Sequence, residues 1–168
     1  VDEAFIRISD FVFLRGSFAF ELSGGHLPFT TAGIPLGPSD AITIGGRGID
    51  AFVGLGPYFV DSNNDGRIND DDTPDDSAIG LVIEDLTFGL AIFRPVIPVA
   101  SFVALKAEVG RAALIGLPDI IEVDFRGITI EVNVASTPLL PPVDFTRFAG
   151  GKFSVATGTT TAPVDLNM

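Results

Sequence analysis

Apolar and polar residues alternate one by one along several stretches of the chain, which is the pattern of strands with one buried face. The clearest alternation follows Gly127, where Ile128 and Ile130 share one face while Thr129 and Glu131 occupy the other. Similar runs cover residues 5–9, 11–22, 79–93, 101–115 and, in the tail, 143–148, 152–156 and 163–168. Each run is predicted to be a strand.

Glycine and proline punctuate these runs and set the predicted organisation. Gly16 is expected to form a bend or bulge, and the run over residues 79–93 is expected to break near 84–85. Two Gly/Pro-rich segments, residues 23–40 and 136–142, are predicted to be loose connections. The predicted domains are residues 1–135, a main β domain into which a loop at 61–76 is inserted, and 136–168, C-terminal strands that can contact a neighbouring copy.

Composition supports a β protein. The 15 phenylalanines, together with many Val, Ile and Thr residues, favour strands, and 19 glycines and 12 prolines supply turns. Residues 104–115 tolerate a helix, but Gly110 and the alternation favour a strand there. We predict an all-β fold, an antiparallel sandwich or a curved or rolled sheet with little or no helix.

The charge is strongly negative but concentrated in one segment. The formal net charge is −12, and residues 61–76 contain seven aspartates and one arginine, a local charge of −6. The only lysines are Lys106 and Lys152. Nucleic acid is therefore not expected as a partner, because phosphate binding needs a stripe of Lys and Arg. No apolar run reaches the roughly 18–20 residues of a membrane-spanning helix, so no membrane span is predicted.

The chain offers few residues for catalysis. It has no cysteine, which excludes disulfides and thiol chemistry. His26 is the only histidine, and the sequence around it lacks the nucleophile elbow that a Ser-His-Asp triad would use. Glu21 and Glu131 are the best candidates for a glycosidase carboxylate pair, but solvated strand faces explain them better. We predict no catalytic residues and no enzyme.

Residues 61–72 contain the most specific chemical pattern of the chain. If residue 61 is position 1, oxygen-bearing side chains fall at positions 1, 3, 5, 9 and 12, and they belong to Asp61, Asn63, Asp65, Asn69 and Asp72. Position 6 is Gly66, where a calcium loop turns sharply, and position 7 is Arg67, whose backbone carbonyl is a candidate ligand. Ile68 is the one apolar residue and is predicted to anchor the segment to a core.

This twelve-residue pattern resembles the calcium loop of EF-hands and, more closely, that of dockerin repeats. The resemblance covers residues 61–72 only, and it implies Ca2+ ligation by the residues just named. Both families continue into a helix, which Pro74 disfavours here. We therefore carry over calcium ligation but neither the helix pair nor a cohesin partner. The alternative interpretation is a solvated acidic turn that binds no metal.

Three other sequence segments, taken together, are similar to tandem β-rich repeats of very large bacterial surface and secreted proteins. They are residues 5–21, residues 78–91, and residues 102–110 running on to 131–135. The resemblance rests on hydrophobic patterning more than on invariant chemistry. It implies a building block whose copies are joined head to tail. A chain that begins at Val1 is expected to be a piece of a longer product.

These observations lead to one functional expectation and one alternative. The first is a structural, calcium-stabilised β module of an extracellular bacterial filament, surface layer or giant adhesin, assembling with other copies of itself through strand edges. An extracellular location is expected because a loop closed by Asp suits millimolar calcium. The alternative is a calcium-dependent carbohydrate- or ligand-binding module that recognises surface glycans. Against it, Trp is absent and Tyr58 is the sole tyrosine.

Overall fold

The structure, a computed structural model, describes residues 1, 4–8, 11–31, 34–69, 71–75, 77–96, 100–117, 121–158 and 160–168, without the side chains of 25–29. The strands are β1 (Ala4–Ile8), β2 (Val12–Thr31), β3 (Ile34–Leu55), β4 (Ile79–Pro95), β5 (Phe102–Ile115), β6 (Val123–Ala135), β7 (Phe153–Val155) and β8 (Val164–Leu166). Two three-residue 3-10 turns, Phe145–Arg147 and Ala149–Gly151, precede β7.

The first six strands form one antiparallel sheet in the order in which they occur along the chain. Each strand pairs with the next, and β7 and β8 form a small separate hairpin. The prediction of an all-β fold is confirmed. Among the described residues, helical structure is limited to the two 3-10 turns.

The β2–β3 and β3–β4 pairings contain bulges at one level of the sheet, and the same level is irregular on β5 and β6, whose register does not shift. Between β2 and β3 the register shifts after Arg15, and between β3 and β4 it shifts around Ile49. On β4, β5 and β6, three residues lie opposite one another outside the pairing: Asp85, Gly110 and Gly127. Asp85 and Gly127 adopt positive φ angles of 53° and 63°. Such bulges exchange the buried and exposed positions of a strand.

The consequence is visible in the burial along β4. Val82, before the bulge, and Phe93, after it, are both fully buried. Strict alternation would place them on opposite faces, because an odd number of positions lies from one to the other. Because every central strand is irregular at the same level, paired residues stay on the same side throughout. Within the described part of the chain, the sheet thus has one face that is covered by other segments and one that is not, and we call these the covered face and the open face.

The C-terminal segment, residues 136–168, covers one half of the covered face, and we call it the C-terminal cover. Its buried residues share a core with β3, β4 and β5, and those of the cover are Val143, Phe145, Phe148, Val155, Val164 and Leu166. Asn133 on β6 holds the start of the cover, because its side chain exchanges two hydrogen bonds with the backbone of Val143, at 2.9 and 3.0 Å. The segment therefore belongs to the core of the main β domain.

Several local predictions were wrong. Residues 23–40, predicted to be a loose connection, belong to β2 and β3 except for 32–33, which lie outside the described residues. The predicted break near 84–85 is a bulge within the single strand β4. Residues 143–148 contain a 3-10 turn instead of a strand. The bulge at Gly16 and the hairpin strands near 152–156 and 163–168 are confirmed.

Candidate functional site

The candidate metal-binding loop belongs to the connection between β3 and β4, residues 56–78, which we call the loop cover. Its two ends are buried against the covered face. Tyr58 and Phe59 at one end and Ala78 at the other share a core with residues of β2–β5, namely Phe13, Phe52, Val82 and Ala113. Ile68, in the middle of the loop, packs against this core, as the sequence predicted.

The first half of the loop is organised by its own acidic and amide side chains. The Asp61 carboxylate accepts hydrogen bonds from the backbone N–H groups of Asp65, at 3.0 Å, and Gly66, at 2.9 Å. Asn63 Oδ1 also accepts from the Asp65 N–H, at 2.9 Å, and Asp65 Oδ1 accepts from the Arg67 N–H, at 2.8 Å. Gly66 has a φ of 84°, the left-handed turn expected at position 6.

Asp72, at position 12, closes the loop onto its beginning. Its Oδ1 accepts hydrogen bonds from the Ser62 N–H at 2.9 Å, the Ser62 hydroxyl at 3.2 Å and the Asn63 N–H at 3.4 Å. Its Oδ2 accepts from the Asn69 N–H at 2.9 Å. The Asn69 hydrogen bond, with those from Ser62 and Asn63, holds the pKa of the Asp72 carboxyl below its ordinary value. The carboxylate is therefore kept charged in the position where a calcium loop needs a negative ligand.

The donor set of this loop fits a hard cation. Within the described residues, no group of three or more His, Cys, Asp or Glu side chains is close enough to hold a metal. A complete ligand set would therefore need the neutral oxygens of Asn63, Asn69 and the Arg67 carbonyl in addition to the carboxylates of Asp61, Asp65 and Asp72. Each carboxylate oxygen has two lone pairs, so the oxygens of Asp61, Asp65 Oδ1 and Asp72 Oδ2, which accept one hydrogen bond each, keep capacity for a metal, whereas Asp72 Oδ1 already accepts three hydrogen bonds. Oxygen donors of both kinds are the ligands that calcium prefers.

The chain leaves the loop without forming a helix. Residues 73–75, including Pro74, have no regular structure. The Asp75 N–H donates to the Tyr58 carbonyl at 2.9 Å, and the Ala78 N–H donates to the Asp75 carbonyl at 3.2 Å. This exit returns directly to β4. The expected departure from EF-hands and dockerins is confirmed by this geometry, whereas calcium ligation stays a prediction.

An ion pair that the sequence did not reveal ties the loop cover to the bulges of the sheet. Arg15 donates to Asp50 through Nε at 2.9 Å and through its terminal nitrogen at 2.7 Å. The second oxygen of Asp50 accepts from the N–H of the bulge residue Asp85 at 2.9 Å. The Arg15 guanidinium also lies over the ring of Phe59, 5.0 Å from its centroid. Both partners of the ion pair are largely buried.

A second polar cluster fixes the other side of the loop cover. The Tyr58 hydroxyl donates to Glu84 at 3.0 Å, and Arg111 donates to Glu84 at 3.1 Å and to Asp124 at 3.0 Å. Burial, followed by the hydrogen bond and the charge of Glu84, raises the pKa of Tyr58 to about 12. Arg111 lowers the pKa of Asp124, and the hydrogen bonds from Arg111 to Glu84 and Asp124 raise its own. The cluster is structural, because each charged group in it has an opposite partner.

Sequence reasoning missed these two clusters. Their members alternate with apolar residues in the ordinary way, and they meet only through strand pairing. Arg15 is paired with Asp50, and Arg111 with Glu84, in the register of the sheet. A weak signal existed, since an arginine and an acid at matching distances from a turn favour a cross-strand pair.

The other candidate residues are not brought together into a site. Glu21 lies on β2 and Glu131 on β6, four strands apart, which is about 19 Å at the usual strand spacing. A glycosidase pair requires about 5–9.5 Å. Glu131 instead faces Lys106 at 3.6 Å. The side chain of His26 lies outside the described residues. Tyr58 is only 6% exposed and is therefore not a sugar-stacking platform.

No protein-family model, curated protein or solved structure matches this chain. The resemblances to calcium loops and to tandem β-rich repeats therefore stay expectations that depend on the sequence segments alone. Within the described part of the chain, no helix has the length and apolarity needed to cross a membrane. Function has to be argued from the loop, the covers and the surface of the sheet.

Proposed function

We propose that the chain is a structural, calcium-stabilised β module of an extracellular bacterial filament, surface layer or giant adhesin. In this proposal its copies assemble head to tail through strand edges. The observation that carries the proposal is the loop at residues 61–72. Its oxygen-bearing side chains are held around the loop by backbone N–H groups, and its one apolar residue, Ile68, is partly buried and packs against the core.

Calcium would act on this loop through charge. Residues 61–76 have a net charge of −6, and repulsion among the aspartates opposes a compact loop. A divalent cation held by Asp61, Asp65 and Asp72, with the neutral oxygens of Asn63, Asn69 and Arg67, would replace that repulsion with shared coordination. Because the loop cover shields one half of the covered face, the binding free energy would add to the stability of the sheet.

Isothermal titration calorimetry of the wild-type chain and two variants tests the calcium proposal. The double variant D65A/D72A removes two carboxylate ligands, and D71A removes a neighbouring exposed aspartate outside the ligand set. We expect wild type and D71A to bind calcium with a Kd of about 10⁻⁴–10⁻³ M, typical of extracellular modules, and D65A/D72A to give no heat. Absence of heat from the wild type, or equal binding by D65A/D72A, would contradict the proposal.

The edges of the large sheet support the assembly half of the proposal. The outermost strands of the sheet are β1 and β6. An outer strand leaves a row of N–H and C=O groups free to pair with another chain. Pairing of β1 of one copy with β6 of the next would extend the sheet in one direction, the geometry of a filament. The short β8 does not fit this role, because it pairs with β7 and buries Val164 and Leu166.

Electron microscopy of concentrated protein tests edge pairing. Deleting residues 1–8 removes β1, and deleting residues 167–168 is the control because it removes terminal residues outside β1 and β6; Met168 packs against the core, so the folding of this variant is also checked by circular dichroism. We expect the first deletion to abolish or shorten head-to-tail polymers and the second to leave them unchanged. If the chain without β1 folds, by circular dichroism, and still polymerises like wild type, edge pairing through β1 is wrong.

A further inference from the structure

The open face of the large sheet is apolar from one side to the other. Cross-strand pairs on this face join Ile6 to Leu14 on β1–β2, Leu22 to Ile42 on β2–β3, and so on across the sheet. The later pairs are of the same kind, and they include Ile42↔Ile92, Val53↔Leu81, Leu81↔Leu114, Leu90↔Leu105, Leu105↔Val132 and Val103↔Val134. A charged pair, Asp40↔Arg94, stands at one end of β3 and β4.

Many side chains of this face are exposed to solvent. Phe20 is 69% exposed and Leu22 is 72% exposed. Nine other large apolar residues of the face are also exposed, namely Ile6, Ile8, Val53, Leu55, Ile79, Leu81, Phe125, Ile130 and Val134. Neither cover reaches them, because both pack on the opposite side of the sheet. A sheet that is apolar on both faces but covered on one lacks its second layer.

We propose that the open face packs against the open face of a second copy of this chain, giving a two-layer dimer. The first argument is area. Strands of 13–22 residues in five neighbouring positions, about 4.8 Å apart with a rise of about 3.3 Å per residue, present on the order of 1,000 Å² per copy. A stable interface needs about 800 Å² per partner, and apolar patches on soluble monomers rarely exceed about 600 Å².

The second argument is charge. The net charge of −12 opposes association of two copies unless their acidic segments are kept apart. Half of that charge belongs to residues 61–76, which lie in the loop cover on the opposite side of the sheet. Face-to-face packing directs both loop covers outwards and away from each other. It also joins two surfaces of equal size and character, as a two-fold axis requires.

This inference goes beyond the proposed function and does not rest on it. Calcium acts on the covered side, and edge pairing extends the sheet sideways without covering the open face. The dimer can therefore fail while calcium binding holds, and the reverse is equally possible. Its interface would be a layer of interdigitated side chains with sheets about 10 Å apart.

Sedimentation velocity over a range of concentrations tests the dimer, on protein freshly purified below the concentration at which polymers form. The variant L22E/L81E places two charges on the open face at residues exposed in one copy, so each copy should still fold. The matched control, L139E, introduces the same charge at a leucine that is 88% exposed and lies on the C-terminal cover. We expect wild type and L139E to sediment as dimers, and L22E/L81E as a monomer with unchanged circular dichroism.

Two outcomes would overturn the proposal. One is a wild-type chain that stays monomeric up to about 100 μM, well above the micromolar Kd expected of a weak interface. The other is a dimer that persists in L22E/L81E. Flotation with phosphatidylcholine vesicles is run in parallel, and wild-type protein that floats without dimerising would assign the face to lipid and refute the dimer.

Cysteine protection gives a second readout that does not depend on a sedimentation model. The chain has no cysteine, so L81C and L139C each introduce a single thiol. In the dimer, L81C should react with maleimide at least tenfold more slowly at high than at low protein concentration, while L139C should react at one rate throughout. Equal reactivity of L81C at all concentrations would contradict the proposed interface.

Discussion

The two covers perform the same task by different physical means. The C-terminal cover packs with a cluster of phenylalanine rings, in which Phe93 of the sheet lies 5.0 Å from Phe153 and 5.9 Å from Phe148. The loop cover contributes a smaller aromatic group around Tyr58 and depends on the Arg15–Asp50 pair and on aspartate–backbone hydrogen bonds. One cover is held by burial of apolar area and the other largely by polar contacts.

This difference indicates which of the two covers should respond to metal ions in solution. Burial of apolar surface does not need a bound cation, whereas carboxylates arranged without a cation repel one another. We therefore expect the loop cover to respond to metal and the C-terminal cover to ignore it. The four predictions below test that contrast, beginning with the largest expected effect.

Phe93→Ala should be the most damaging change, because this ring is fully buried and contacts three rings of the C-terminal cover, those of Phe145, Phe148 and Phe153. We expect a loss of about 3–5 kcal/mol in the free energy of unfolding, measured by urea denaturation. The loss should be equal with calcium and with EDTA. A loss that depended strongly on calcium would contradict the expectation that the C-terminal cover does not respond to the metal.

Removal of calcium should have the next largest effect. At free calcium of about 100 times Kd, binding to the folded chain contributes about 2.7 kcal/mol, which EDTA would remove. Hydrogen exchange should then accelerate in residues 56–78 and stay unchanged in 136–168. Exchange that rises equally in both covers would show that their stabilities are coupled. Unchanged exchange in both covers would contradict calcium binding by the loop cover.

Asp50→Ala should cost about 2 kcal/mol, because it removes a largely buried carboxylate that accepts hydrogen bonds from Arg15 and from the Asp85 N–H. The expected structural effect is loosening of the loop cover, read as faster hydrogen exchange of residues 56–60. The control is Glu131→Gln, which removes a half-exposed partner of Lys106 and should change stability by less than about 1 kcal/mol. Equal losses of stability in Asp50→Ala and Glu131→Gln would contradict the larger contribution assigned to the Arg15–Asp50 pair.

Acid should act on both covers and so differs from calcium removal. Hydrogen bonds lower the pKa of Asp72 in the loop cover, chiefly from the Asn69 N–H, and of Asp165 in the C-terminal cover, chiefly from Lys152. A lowered folded pKa contributes stability above the ordinary value of about 3.9, and this is lost as pH falls below it. In EDTA, the free energy of unfolding should be flat from pH 7 to 5 and decline below about pH 4. A decline that began near pH 6 would contradict this assignment.

Local patterns predicted much of the fold and the outline of the site. Alternation located β5 and β6, and glycine located the bulge at Gly16, because both signals act within a few residues. Position 6 of the loop and the anchor Ile68 were found for the same reason. Residues 41–53 were not predicted as a strand, and 23–40 were taken for a connection, because glycine and proline usually end strands.

The sequence by itself determined an all-β chain with an oxygen-rich loop, since strand alternation and ligand spacing are short-range properties. Only the tertiary structure decided which face of the sheet is covered. Both faces supply apolar residues, and the choice depends on where residues 56–78 and 136–168 return, which are contacts between distant parts of the chain. The irregular level at Asp85, Gly110 and Gly127 was also decided by tertiary structure, because it reverses the buried and exposed faces of the strands and is seen only in the pairing of neighbouring strands.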